Sequence, residues 1–241
     1  MIVEKTDCFD RMPKLPASSF ELILTDPPFL ISKKSGFSNG GSWNNANDKS
    51  LRKTPPKTYF GKWDTVDIDF NEMFKQFYRL LKDGGYCIVF VDIWKAGIMK
   101  MLAEKHRFKQ PRLCRWDKTN PVPVNSKRNY LSNGSEYFIT FTKGVKPTFN
   151  SEYDRGIYSY PICSGKERTK HTTQKPLALI SELVKKHSNA GDTVFDPFAG
   201  SGTTAVACMN LGRNFYMIEK DNTYYEIMTN RISKYEKEAE K

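Results

Sequence analysis

The sequence predicts an α/β protein, and three features of the chain lead to that class. Short apolar runs typical of buried strands alternate with stretches of helical period. The run Leu22–Thr25 suits a strand buried on both faces of a parallel sheet. Two of the runs end in an aspartate followed by proline, at Asp26 and Asp196. Because open α/β sheets bind ligands at the carboxyl ends of their strands, Asp26 is a candidate site residue and Asp196 is a second.

The individual elements are predicted from the period of the apolar residues and from the residues that end each run. Apolar residues at intervals of three and four indicate helices, and the first long helix should end at Lys82–Gly85. The predicted strands are Met1–Lys5, Glu21–Thr25, Tyr86–Val91, Arg112–Trp116, Glu136–Thr142, Val194–Phe195 and Asn214–Glu219. The predicted helices are Cys8–Met12, Phe70–Leu81, Ile93–His106, one that starts at Pro176, Thr203–Leu211, and a last one across Tyr225–Tyr235.

Composition limits the class of protein and the kind of partner. The chain has 241 residues, 39% of them hydrophobic, so residues 1–241 are predicted to form a single domain with a substantial core. No apolar run reaches membrane-spanning length and no secretory signal is recognisable, so a cytoplasmic protein with no membrane contact is expected. The net charge of +11 favours a polyanionic partner, nucleic acid before an acidic membrane surface. The five cysteines are scattered and form no Cys/His cluster, so no metal site is predicted.

The turn Asp26-Pro27-Pro28-Phe29 is the first candidate site. Each proline fixes its own φ, so the turn should be extended and rigid. It could hold a flat ring that bears an amine, with the ring stacked on Phe29 and the NH2 group donating to the Asp26 carboxylate and the Pro27 carbonyl. The alternative is an ordinary strand end with a solvated aspartate.

The second candidate site is the turn that follows Val194–Phe195. Gly200 and Gly202 would let the backbone approach a ligand, and N–H groups at the start of the next helix attract an anion. Glu219 ends the following strand, where a carboxylate suits the binding of ribose hydroxyls, and Asp221 is the lesser choice.

Together, Leu22–Phe29 and Thr193–Thr204 resemble the motifs of the S-adenosylmethionine-dependent DNA amino-methyltransferases. That family carries D/N/S-P-P-Y/F/W at the target base and D-P-F-x-G-S-G-T-T at the cofactor. The D-P-P-F motif comes first here, which resembles the circularly permuted beta group, and the likeness covers roughly Met1–Arg231. The resemblance implies a Rossmann-like class I methyltransferase fold with a seven-stranded, mostly parallel sheet.

The resemblance also implies an activity, a cofactor and site residues. The expected reaction moves a methyl group from S-adenosyl-L-methionine to N6 of a flipped-out adenine in DNA. Asp26, Pro27, Pro28 and Phe29 are the expected catalytic residues. The expected cofactor-binding residues are Asp7, Asp26, Thr173, Gln174, Lys175, Asp196, Pro197, Phe198, Ala199, Gly200, Ser201, Gly202, Thr203 and Glu219. The anion at the glycine turn would be the cofactor's carboxylate, with Asp196 at its ammonium group.

Two of these assignments have alternatives. Asp7 would accept a hydrogen bond from the amine of the cofactor's adenine, or it simply caps the short helix that follows. Lys175 would lie at the cofactor's methionine end, or it is a lysine at the start of a surface helix. The family pattern before that helix is H-P-T-Q-K-P, and Thr172 replaces the first proline here.

DNA contacts are expected from three segments. Residues 32–60 are basic and lack any period, which predicts a mobile loop that could close over DNA. Trp116–Pro123 resembles the family's W-x-K-x-N-P-x-P segment beside the target base, and residues 143–170 are the predicted target-recognition segment. The expected DNA-binding residues are Asn120, Pro121, Lys127, Arg128, Lys146, Arg155, Lys166, Arg168 and Lys170.

Alternatives to this function stay open. N4 of cytosine presents the same amine geometry, although family members that act on cytosine more often carry serine before the two prolines. A catalytically silent DNA-binding subunit with the same fold is the alternative from another class. The resemblance also admits a homodimer and a cognate restriction endonuclease as partners.

Overall fold

The computed structural model describes residues 1–28, 68–121 and 133–239. The strands in this part of the chain are β1 (Ile2–Lys5), β2 (Phe20–Thr25), β3 (Leu81–Val91), β4 (Lys109–Lys118), β5 (Ser135–Thr142), β6 (Ile157–Tyr160), β7 (Thr193–Asp196) and β8 (Asn214–Glu219). The α-helices are α1 (Cys8–Arg11), α2 (Phe70–Leu80), α3 (Ala96–Lys105), α4 (Leu177–His187), α5 (Thr203–Leu211) and α6 (Asn222–Ala239). The predicted basic loop at 32–60 lies outside the described residues.

The eight described strands form one sheet in the order β1-β8-β7-β2-β3-β5-β4-β6. Every neighbouring pair is parallel except the two that involve β5, which runs opposite to β3 and β4. This mostly parallel α/β sheet confirms the predicted class and contains all seven predicted strands. The eighth, β6, adds to the edge beside β4 and lies within 143–170, which was expected to be irregular.

Helices cover both faces of the sheet, because alternate residues of the central strands point to opposite sides. Ile23 and Phe195 belong to the core cluster that packs on α2 and α3, whereas Leu24 and Val194 belong to the cluster that packs on α4, α5 and α6. The central strands are therefore buried on both faces, as their continuous apolar runs predicted.

The boundary between α2 and β3 differs from the prediction. The helix ends at Leu80, and β3 begins at the next residue, so Lys82–Gly85 belongs to the strand and does not end the helix. The physical reason is a hydrogen bond to the chain that leaves β5: the amide of Gly84 donates to the carbonyl of Lys143 at 2.8 Å. Gly84 has a φ of +81°, a conformation that favours glycine.

The predicted helix Ile93–His106 begins as a 3-10 turn, Ile93–Lys95, and continues as α3. Within the described ranges, no helix combines the length and the hydropathy needed to cross a lipid bilayer.

Candidate active site

The carboxyl ends of the parallel strands open into one cleft of about 1330 Å³. Its lining includes Asp26 after β2, Asp196 at the end of β7, Glu219 at the end of β8, and Asp7 after β1. This is the edge at which a parallel α/β sheet binds ligands. The cleft is larger than a typical single-ligand pocket, so it has room for two ligands side by side.

Asp196 lies at the centre of this edge and is buried. Its Oδ1 accepts hydrogen bonds from Thr25 Oγ1 at 2.7 Å and from the amide of Phe198 at 3.1 Å, and its Oδ2 accepts one from Thr204 Oγ1 at 2.8 Å. Burial raises the pKa of Asp196 to about 6. Both carboxylate oxygens therefore accept from the protein's own groups and join β2, β7 and α5, and the expected contact with the cofactor's ammonium stays a prediction.

The glycine turn after Asp196 has the geometry that only glycine adopts easily. Gly200 and Gly202 have φ values of +52° and +75°. A Cβ on Gly202 would lie 2.7 Å from Cγ of Met228, and one on Gly200 would lie 2.8 Å from Nε2 of His171. Both glycines are thus required by close packing against α6 and the loop before α4.

The amide of Gly200 has a partner within the protein. It donates to Oε2 of Glu219 at 2.8 Å, while Oε1 of Glu219 accepts from the amide of Asp221 at 2.7 Å. The amide of Gly200 is therefore bonded within the protein in this conformation, and the expected anion site at the start of α5 stays a prediction. Burial raises the pKa of Glu219, and its carboxylate still lines the cleft. The glycine turn and the expected ribose-binding acid thus form one bonded unit.

Asp7 is the cap of α1. Its Oδ1 accepts from the amide of Phe9 at 2.9 Å, and its Oδ2 accepts from Nζ of Lys220 at 2.6 Å. Asp7 nevertheless lines the cleft, so the two interpretations of this residue are compatible.

The segment before α4 closes the opposite side of the cleft. Gln174 is buried and bonds the backbone of its own loop, since its Oε1 accepts from the amide of Thr169 at 2.9 Å and its Nε2 donates to the carbonyl of Glu167 at 2.9 Å. Thr173 lines the cleft but does not cap α4, for which Pro176 is the N-cap without a side-chain bond. These polar groups order the loop that carries Lys175.

Lys175 is buried and bonds two carboxylates of the protein. Its Nζ donates to Oδ2 of Asp26 and lies 3.1 Å from Oε2 of Glu136. Burial opposes the charged form, yet the two carboxylates raise the pKa of Lys175. The ammonium of Lys175 is therefore paired with Asp26 and Glu136, and its expected place at the cofactor's methionine end stays a prediction.

Glu136 was not expected in the site, whereas Lys118 belongs to the segment Trp116–Pro123 that was expected beside the target base. Lys118 Nζ lies 2.9 Å from Oε1 of Glu136, and both residues line the cleft. Burial raises the pKa of Glu136, but the ammoniums of Lys175 and Lys118 outweigh it and hold the pKa below its ordinary value. No spacing in the sequence reveals this group, because its members come from β4, β5, the loop before α4 and the end of β2.

The expected DNA-binding residues fall into three groups. Arg168 lines the cleft, and Lys166 and Lys170 follow β6 on the same side. Lys146 and Arg155 do not line the cleft: the carbonyl of Lys146 faces Gly84 near the start of β3, and Arg155 precedes β6 beside the middle of β4. Their placement does not bring them to the cleft.

The remaining expected residues are only partly described. The Oδ1 atom of Asn120 accepts from the amide of Ile162 at 2.7 Å, which holds the end of β4 against the chain that leaves β6, and Pro121 follows it. Pro27 and Pro28 line the cleft beside Asp26. Phe29, Lys127 and Arg128 lie outside the described residues. Among the residues that the structure describes, no group of His, Cys, Asp and Glu could hold a metal ion.

Comparison with known proteins gives consistent matches across the chain. A family model described as DNA methylase matches residues 20–230. The type II methyltransferase M2.MboI of Moraxella bovis is 30% identical over 250 residues, which cover 93% of this chain and 85% of the relative. The type II methyltransferase M.HinfI of Haemophilus influenzae is 29% identical over 257 residues, which cover 95% of this chain and 67% of the relative.

Solved structures have the same fold. The crystal structure of the M1.HpyAVI–SAM complex superposes with a TM-score of 0.67 at 25% identity, covering 95% of this chain and 98% of that one. The PvuII DNA methyltransferase, described as cytosine-N4-specific, superposes with a TM-score of 0.72 at 16% identity, covering 95% of this chain and 85% of that one. At that identity the likeness concerns the fold alone.

Proposed function

Since the chain belongs to the DNA methylase family and is a DNA amino-methyltransferase that uses S-adenosyl-L-methionine, we propose that the amine it methylates is N6 of a flipped-out adenine. The order of its two motifs, with Asp26 ahead of Gly200, supports the circularly permuted group. We further propose that residues 1–241 act as a single domain, and a DNA substrate agrees with the predicted cytoplasmic location.

The observation that carries the proposal is the contact between the two motifs. Thr25, the residue before Asp26, bonds Asp196 directly, so the acid–proline turn and the glycine turn share one cleft. A methyl donor bound at one turn and a base held at the other would be neighbours. Holding two reactants in this way can supply a large part of the acceleration.

The residues of the glycine turn fit the cofactor. Gly200 and Gly202 keep side chains out of the turn, and Glu219 presents a carboxylate at the end of β8 that could accept from ribose hydroxyls. Asp7 lines the same part of the cleft and could accept from an adenine amine. When bound, S-adenosyl-L-methionine supplies a methyl group activated by its sulfonium.

Asp26 and Pro27 would prepare the target nitrogen. An exocyclic amine is a poor nucleophile because its lone pair is delocalised into the ring. The Asp26 carboxylate and the Pro27 carbonyl, by accepting its two hydrogens, would favour a tetrahedral nitrogen whose lone pair is available. The base must leave the helix to reach them, and its ring would stack on Phe29. Preorganised acceptors of this kind need no reorganisation during the reaction.

We propose adenine and not cytosine as the target base because of the residue that precedes the two prolines. Aspartate stands there in this chain, whereas family members that act on cytosine more often carry serine. We place the DNA contacts on the cleft side, with Lys166, Arg168 and Lys170 near the phosphates and Asn120 and Pro121 near the base. A homodimer and a cognate restriction endonuclease remain predictions of the resemblance.

The test is product analysis after reaction with random-sequence, unmethylated DNA and S-adenosyl-L-methionine carrying a labelled methyl group. Digestion to nucleosides should yield labelled N6-methyldeoxyadenosine. Labelled N4-methyldeoxycytidine in its place would overturn the choice of base. Failure to bind the cofactor in a calorimeter, with DNA binding retained, would favour a catalytically silent subunit. Sequencing the modified sites would define the recognition sequence.

A further inference from the structure

Four charged side chains of alternating sign form a row across the floor of the cleft. Lys118 contacts Glu136 at 2.9 Å, Glu136 contacts Lys175 at 3.1 Å, and Lys175 bonds Asp26. The two cations balance the two anions. The lysine side chains are only 12% and 8% exposed, so both charges have been largely removed from water. Desolvation of this kind is costly unless each charge is paired, and the row pairs every member.

Aromatic rings fix both ammonium groups. Lys175 Nζ lies 4.9 Å from the centre of the Phe90 ring, and Lys118 Nζ lies 5.5 Å from that of Trp116. Both rings are buried in the core, so the lysines have little freedom to move away. Lys175 is thus held by Phe90 and shared between two carboxylates.

We propose that Glu136 is a positioning residue for methyl transfer, which acts by sharing Lys175 with Asp26. This inference rests on the proposed role of Asp26 as acceptor for the target amine. If Lys175 bonded Asp26 alone, it would take up more of the carboxylate's capacity to accept the amine hydrogens. Glu136 attracts the same ammonium, so Lys175 interacts less strongly with Asp26. Lys118 in turn balances the charge of Glu136. Asp26 thereby stays ionised while it shares the ammonium with Glu136.

Among the described residues, Asp196 and His171 are further titratable groups whose charges couple to this row. Asp196 on β7 is close enough for the charge of Asp26 to contribute to the rise in its pKa, although burial is the larger cause. His171, in the loop before α4, feels Lys175: burial, and then that charge, lower the pKa of His171 to about 4. His171 is therefore neutral near pH 7 and adds no charge beside Lys175.

Opposite shifts in pH dependence distinguish a positioning role from a purely structural one. The measurement is the single-turnover rate of methyl transfer between pH 5 and 9, with DNA that the wild-type protein methylates. Lys175→Met leaves two carboxylates facing each other, so one of them holds a proton more readily. The low-pH limb of the rate profile, where the rate falls as the pH falls, should therefore move to higher pH. Glu136→Gln removes an anion and leaves Lys175 paired with Asp26 alone, so the low-pH limb should move to lower pH.

Glu136→Gln should also lower the plateau rate by roughly tenfold to a hundredfold while cofactor affinity stays within about twofold. Glu136→Asp, which keeps the charge, should restore the position of the limb. Glu182→Gln is the matched control, since Glu182 on α4 contacts Lys186 at 2.5 Å away from the cleft and should leave rate and profile unchanged.

The proposal is overturned if Glu136→Gln keeps the wild-type rate and profile, if both variants shift the limb in one direction, or if the rate falls only in step with cofactor affinity and thermal stability. If Lys175→Met does not fold, the shift in Glu136→Gln and its reversal in Glu136→Asp decide the question. A wild-type protein that methylates cytosine would overturn the choice of base but leave this test intact, because the same carboxylate would meet the amine.

Discussion

The hydroxyl of Thr25 donates to Oδ1 of Asp196 at 2.7 Å, across 171 residues of chain. The two residues end neighbouring parallel strands, β2 and β7. This bond satisfies part of a buried carboxylate and aligns the two turns that follow the strands. A single hydroxyl thus links the acid–proline turn to the glycine turn.

Thr25→Val should destabilise the protein although it keeps the shape of the side chain. The change leaves the buried Asp196 with one donor fewer, and an unmet hydrogen bond of this kind costs about 1–3 kcal/mol. Urea denaturation should show that loss in the free energy of unfolding. Thr223→Val, at an exposed position of α6, is the control and should change stability by less than about 0.5 kcal/mol.

Asp26→Ala should abolish methyl transfer without unfolding the protein. Asp26 lines the cleft and accepts from Lys175, so the variant loses the acceptor for the amine but keeps β2 and its packing. We expect the single-turnover rate to fall by about a hundredfold or more. Circular dichroism should resemble the wild type. A variant with near-normal turnover would contradict the role given to this carboxylate.

Glu219→Gln should weaken cofactor binding by about tenfold to a hundredfold, because a charge-assisted hydrogen bond contributes about 1.5–3 kcal/mol. Isothermal titration with S-adenosyl-L-methionine measures it. Asp7→Asn provides a comparison, since asparagine also caps helices and should preserve α1. If Asp7 accepts from the cofactor's adenine, affinity falls in that variant too, and an unchanged affinity would restrict Asp7 to capping.

Arg168→Ala and Arg155→Ala should differ in DNA binding although the substitution is the same. Arg168 lines the cleft, whereas Arg155 precedes β6 and is not among the residues that line it. Loss of one phosphate contact should weaken binding by a few fold and reduce the salt slope by about 1 in the Arg168 variant alone. Fluorescence anisotropy at several salt concentrations would show it. Equal losses of DNA affinity in both variants would contradict binding at the cleft.

His187→Gln should flatten the pH dependence of stability in mild acid. His187 is buried, and burial lowers its pKa to about 4, below the value of about 6.5 expected in the unfolded chain. The unfolded chain therefore binds more protons between these two values, so stability is complete above about pH 6.5 and is lost as the pH falls towards 4. The loss from this group is at most about 3 kcal/mol.

Urea denaturation at pH 7.5 and pH 4.5 measures that difference. The wild-type protein should lose more stability between the two values than the variant does. His106→Gln is the control, because His106 is only partly buried at the end of α3. Asp196 has the opposite effect: its pKa is raised to about 6, so its contribution to the stability of the protein is lost as the pH rises through about 6. Asp196 is present in both variants, so its contribution cancels in the comparison.

The elements that the sequence predicted well are those with strong local signals. The continuous apolar runs of β2 and β7 identify central strands, and the glycines of the turn after Asp196 indicate a tight backbone. The short edge strand β6 was missed because its alternation covers four residues in a polar segment. The end of α2 was misplaced because Gly84 signals a helix end locally, whereas its bond to Lys143 is made across the sheet.

The charges of the site could be predicted only in part for the same reason. Asp26 and Glu219 each end an apolar strand, which is a local pattern. The partners of Lys175 are remote along the chain, with Asp26 149 residues away. Only the assembled sheet shows that this lysine bonds the acid–proline turn.

Lys175 also places a primary amine of the protein against the carboxylate that we propose as the acceptor for the target amine. Burial alone would lower the pKa of Lys175, but the charges of Asp26 and Glu136 reverse that effect and raise it. An ammonium ion has no lone pair, so it cannot accept a methyl group. Near neutral pH Lys175 therefore stands beside Asp26 as a cation and not as a second nucleophilic amine.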